Sequence, residues 1–160
     1  MSASFGRSVG YVVSRWGEPT QTFVRREARA VAREGVEVRV FSLKSPRPTD
    51  LDLDVERSSL TSLVTGAVAA LRTSPKVVAR VLGTVLRRTS LRNTAPQTYA
   101  ALRGIAWAGH GLGVDHLHSH FGWVSATAAW ASSQVADVPL SITLHAFEIH
   151  TDERNDQFTA

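Results

Sequence analysis

The chain contains no cysteine, which removes disulfides, thiolate catalysis and cysteine-based zinc sites together. A reducing cytoplasm is the expected home for such a composition. Long hydrophobic runs are missing too. The stretch after Arg7 offers only Val9 to Val13, and no segment approaches the roughly 18 apolar residues of a membrane span. Lysine is scarce, with only Lys44 and Lys76, so the 18 basic residues against 14 acidic ones are almost all arginine. A net charge of +4 suits anionic ligands such as phosphates but is too small to imply nucleic acid. No basic, aromatic-interleaved patch supports nucleic acid either. No G-x-G-x-x-G follows the first apolar run, so the dinucleotide fingerprint is absent, and no internal repeat is present.

What remains is one domain's worth of chain, 160 residues with 43% hydrophobic content. Val9–Ser14 is rich in β-branched residues and reads as a strand buried on both faces. Gly17 and Pro19 break it, and Thr20 or Thr22 is placed to cap a helix. Phe23, Val24, Ala28, Val31 and Ala32 make its apolar stripe, and Gly35 stops it. Glu27 falls in the row of Phe23 and Val31, an unusual place for a carboxylate. Val36–Leu43 is a second strand, and the alternation Leu51, Leu53, Val55 is compatible with a short edge strand. Three helices follow, on the stripes Leu60–Leu71 and Val77–Leu86 and over Pro96–Ala108. Gly104, Gly111 and Gly113 read as helix-end punctuation. A strand at Asp115–His120, a helix at Gly122–Val135 and a strand at Leu140–His145 close the pattern.

The order β-α-β, helices, β-α-β predicts a Rossmann-like, doubly wound, mostly parallel sheet with helices on both faces. Ligands in such folds bind outside the carboxyl ends of the strands, where Ser14–Gly17, His120 and His145 all fall. The run "GVDHLHSHFGW" puts His116, His118 and His120 on one strand face. An H-x-H pair can bind zinc, but hydrolases that use one add nearby carboxylates, and Phe121, Gly122 and Trp123 supply none. No metal is therefore assigned. His116 and His118 are expected to pack or hydrogen-bond within the sheet. His120 leaves the strand just before a helix whose first N–H groups, Gly122 to Ser125, favour an anion. His145, three residues before Glu148, has the chemistry to orient or exchange a proton with a substrate hydroxyl.

The stretches "SRWGEPTQTFVRREARAVAREGVEVRVFSL" (14–43) and "DHLHSHFGWVSATAAWASSQVADVPLSITLHAFEI" (115–149) resemble the amino-terminal half of glycosyltransferase family 4. The resemblance implies a retaining enzyme of GT-B fold that moves a sugar from a nucleotide-sugar donor, its co-substrate, to a glycan or lipid-linked acceptor. It implies no separate cofactor. It places Gly17, His120, Gly122 and Trp123 on the substrate-binding wall and His145 with Glu148 near the transferred sugar. Family members carry a second domain with most nucleotide contacts, and "NDQFTA" (155–160) ends before one. Residues 1–160 are thus expected to be a single acceptor-side domain, inactive alone. The arginines beside the 60–92 stripes admit peripheral contact with the inner face of a membrane. Two other readings stay open: a metal-dependent hydrolase using His116, His118 and His120, and a non-catalytic partner module.

Overall fold

Val12, Val40 and Leu117 are fully buried, as the apolar β-branched runs require of strands covered on both faces. In the computed structural model, which describes residues 7–47, 53–57 and 59–145, these residues lie in one parallel sheet. Its strands are β1 (Ser8–Arg15), β2 (Glu37–Lys44), β3 (Asp54–Arg57), β4 (His116–His120) and β5 (Leu140–Thr143). They run in the order β3-β2-β1-β4-β5, all neighbours parallel. The chain therefore winds outward from β1 in one direction and then from β4 in the other. The crevice of a doubly wound fold opens where that direction switches, between β1 and β4.

Alternate residues of each strand go to opposite faces, and the helices cover both. Tyr11, Val13, Val38 and Val40 pack with Val24 and Ala28 of α1 (Thr22–Arg33). Val12, Phe41, Leu43 and Leu117 pack on the other face, against Ala100 and Trp107 of α4 (Leu91–His110) and Ala128 and Ala129 of α5 (Val124–Ala136). A further layer, α2 (Leu60–Thr73) and α3 (Pro75–Arg88), rests on α4 and α5 through Ala70, Val78, Val81 and Val85.

Several expectations need correction. Neither Thr20 nor Thr22 caps α1: a 3-10 turn at Pro19–Gln21 runs straight into it, so the chain is already coiled when the helix begins. The short edge strand is present as β3, Asp54–Arg57, which includes Val55 but not Leu53, and 48–52 lie outside the described residues. Helix α4 begins at Leu91, because Pro96 costs it a single backbone bond without breaking it. Gly104 is no helix end but sits inside α4, buried against α5. Strand β5 ends at Thr143, leaving His145 in the segment that follows.

Candidate functional site

The carboxyl ends of β1, β4 and β5 lie side by side, so the three segments singled out in the sequence share one rim. His120 is the last residue of β4 and pairs in register with Thr143, the last of β5. Two residues further on, the His145 ring folds back so that its Nε2 lies 3.3 Å from His120 Nδ1. Phe23 of α1 and Phe121 flank that ring, with centroids 5.0 and 4.5 Å away. Phe121 holds a φ of 69°, a left-handed conformation that a bulky residue adopts only under constraint, at the point where β4 turns toward α5. Gly17 turns the chain at the end of β1 with a φ of 86°, which a side chain would resist. Gly122, buried, and Trp123, half-buried, form the turn that leads into α5. Glu148 lies outside the described residues.

The acid at the centre is Glu27, odd in its apolar row but tied by the sequence to no site. On α1, Val24 and Ala28 are buried against the sheet, which sets Glu27 at the border of that stripe, over the end of β4. Its Oε2 is 3.3 Å from His120 Nε2, and its Oε1 is 3.7 Å from His118 Nε2. The Tyr11 hydroxyl donates to Oε1 at 3.0 Å from within β1. No acid follows the histidine run at 121–123, yet one faces it in space. The signal was the carboxylate standing in an otherwise apolar helical row.

The three alternating histidines share one face, as expected, but do different things. His116 Nε2 and His118 Nδ1 both meet Ser141 Oγ, at 2.8 and 2.7 Å, which ties β4 to β5. His116 stops there. His118 turns its other nitrogen toward Glu27, with Thr143 Oγ1 at 3.4 Å. His120, 2% exposed, joins Glu27 on one side to His145 on the other.

Burial is the largest influence on the imidazoles, and it lowers the pKa of both His118 and His120 from the ordinary 6.5. For His118 the neighbouring His120 adds to this and Glu27 opposes it; for His120, Glu27 opposes it and His145 adds to it. Burial, then the Glu27 charge and its hydrogen bond, holds the Tyr11 phenol well above its ordinary value. Both histidines are therefore neutral in the fold at neutral pH. In the unfolded chain they take up protons near pH 6.5, above their folded values, so the unfolded state binds more protons as pH falls. Their contribution is complete above that pH and is lost below it. Thermal unfolding followed by circular dichroism should show the midpoint dropping between about pH 7 and about pH 5, with a shallower drop in His118→Gln. An identical slope in that variant would separate His118 from the acid response.

Comparison with known proteins now bears on the site. The profile of Glycosyltransferase Family 4 matches residues 20–158, nearly the whole chain. The chain belongs to that family, and its all-parallel sheet with helices on both faces is the α/β, Rossmann-like fold expected of it. Transfer of a glycosyl group is the class of chemistry this membership defines. No curated protein matches the sequence.

Proposed function

We propose that this chain forms the acceptor-side wall of a retaining glycosyltransferase, working with a nucleotide-sugar-binding domain and inactive without it. The observation that carries the reading is the His120–His145 pair at the shared end of β4 and β5, braced from behind by Glu27. An imidazole held in one orientation at the mouth of the crevice has the chemistry to position a sugar hydroxyl. Gly17, Gly122 and Trp123 occupy turns on the same rim and are the proposed substrate-binding neighbours.

The acceptor we favour is lipid-linked, of the kind used in polysaccharide assembly at a membrane surface. Helix α2 turns Leu60, Val64, Val68 and Leu71 outward, with 73, 55, 40 and 50% of their surfaces exposed. No acidic residue occurs between Glu56 and Asp115, a span carrying Arg72, Lys76, Arg80, Arg87, Arg88 and Arg92. Apolar side chains beside an unopposed set of arginines suit an anionic lipid surface. Among the described residues no helix is long and apolar enough to cross a membrane, so the contact proposed is peripheral.

The test is transfer of label from radiolabelled nucleotide sugars into membrane extract, by the chain alone and joined to a nucleotide-sugar-binding domain. Label should enter an organic-extractable product with the joined protein only. Label in a water-soluble glycan would remove the lipid acceptor. Label released only as free sugar, or none moved from any donor, would overturn the transferase reading.

A further inference from the structure

The same rim, whose Glu27 and His120 the proposed function already uses, carries a second feature. Three groups from different elements converge: the Glu27 carboxylate from α1, and Nε2 of His118 and of His120 from β4. Their ligand atoms all lie within 4.8 Å of one another. The two measured edges, 3.3 Å from His120 to Glu27 and 3.7 Å from His118 to Glu27, bracket a useful length. In a tetrahedral zinc site with bonds of about 2.0–2.1 Å, ligand atoms stand about 3.3–3.4 Å apart. The two edges end on different oxygens of the carboxylate, Oε1 and Oε2, and each is close to the spacing that a tetrahedral cation would impose.

Nε2 of His120 is the second, independent sign. The residue is 2% exposed, and that nitrogen faces the carboxylate at 3.3 Å without a well-aligned hydrogen bond. A buried ring nitrogen that faces a carboxylate without a well-formed hydrogen bond is uncommon and is placed to give its lone pair to a cation. The opposite nitrogens complete the picture. His118 Nδ1 meets Ser141 Oγ at 2.7 Å and His120 Nδ1 meets His145 Nε2 at 3.3 Å. Protons placed on the two Nδ1 atoms leave both Nε2 lone pairs aimed at the carboxylate. Partners on the far ring nitrogen are how metal-binding histidines are usually oriented. Tyr11, donating to Glu27 Oε1 at 3.0 Å, plays the same part for the carboxylate.

We propose that Glu27, His118 and His120 bind one divalent transition-metal ion of the zinc class. Two imidazoles and a single carboxylate select zinc or cobalt over magnesium or calcium, which prefer an all-oxygen shell. Glu27 is 44% exposed, so the remaining coordination position faces solvent and is open to a water or an anionic ligand. His116 is not among the converging groups, and its Nε2 meets Ser141 Oγ at 2.8 Å instead.

The experiment uses the whole chain, stripped with chelator and titrated with cobalt(II) and zinc(II) near neutral pH. One cobalt per chain should bind and give the intense visible absorption of a tetrahedral site, and zinc should displace it. Glu27→Gln and His118→Ala should each weaken binding by about 10–100-fold or more, while His116→Ala leaves it unchanged. Circular dichroism of the metal-free variants shows that they fold, and zinc should raise the unfolding midpoint of the wild type but not of Glu27→Gln. Absence of stoichiometric binding, an octahedral cobalt spectrum, or equal affinity in wild type and both ligand variants would overturn the site. None of these readouts depends on sugar transfer, so the site and the transferase reading fail separately.

Discussion

Gly104→Leu is expected to yield no folded protein, and Gly104→Ala to lose about 3 kcal/mol of stability or more. The reason is the closeness of two helices. A Cβ built on Gly104 of α4 would collide with the Ala128 carbonyl oxygen of α5 and stand 3.0 Å from Ala131 Cβ. The obstruction is backbone, which cannot swing aside as a side chain end can. Either α4 must back away from α5, opening the layer that holds Ala101, Ile105 and Ala131, or the helices must bend. The same kind of crossing occurs on the other side of α4. There, a Cβ on Gly109 would meet the Gly66 carbonyl of α2, and one on Gly66 would meet the Ala106 carbonyl. Gly83 of α3 supplies the control: its nearest neighbour is the Arg87 guanidinium at 3.5 Å, the end of a flexible side chain. Gly83→Ala should raise stability by about 0.5–1 kcal/mol, the ordinary gain of removing glycine from a helix. Urea unfolding of the two alanine variants should therefore move in opposite directions. A Gly104→Ala midpoint equal to wild type would mean that the α4–α5 spacing is looser than described.

That contrast also marks what the amino-acid sequence could and could not convey. Val9–Val13 was legible because a strand covered on both faces is rich in apolar residues, and Val36–Leu43 because it alternates at first and then turns mostly apolar. The α1 stripe was legible for the matching reason, a 3.6-residue period ending at Gly35, whose φ is 81°. Gly104 was not, because a glycine that ends a helix and one that admits a neighbouring helix look alike without the partner's position. The start of α4 was hidden by Pro96, whose penalty is small enough for packing to override. At the site, local spacing brought out His116, His118, His120 and His145 but could not say which nitrogen faced which group. Pairing Glu27 with β4 requires knowing that α1 crosses the sheet face on which Tyr11 and His120 stand. That is a fact about the packing of a helix some 90 residues away in sequence. Only the oddity of an acid in an apolar row announced it.

His145→Ala, in the chain joined to a nucleotide-sugar-binding domain, is expected to lower turnover by about 100-fold or more, the scale of losing a positioned proton-transfer or orienting group. Folding should survive, because the ring lies beyond β5 and is only half-buried, with its neighbours Phe23 and Phe121 able to close over the space. If the imidazole acts on the transferred sugar only as the bond is made, kcat should fall and KM should change little. Glu27→Gln provides the second side of a cycle. It keeps the shape of the side chain and the bond from Tyr11, but removes the charge that faces His120 at 3.3 Å. If Glu27 acts through His120 on His145, the double variant should be little worse than His145→Ala alone, because His120 then has no second imidazole to orient. Independent, multiplying losses would mean that Glu27 serves the reaction by another route. Near-wild-type transfer by His145→Ala would remove the ring from the chemistry altogether, leaving His120 and its carboxylate as a structural brace between α1 and the strand ends.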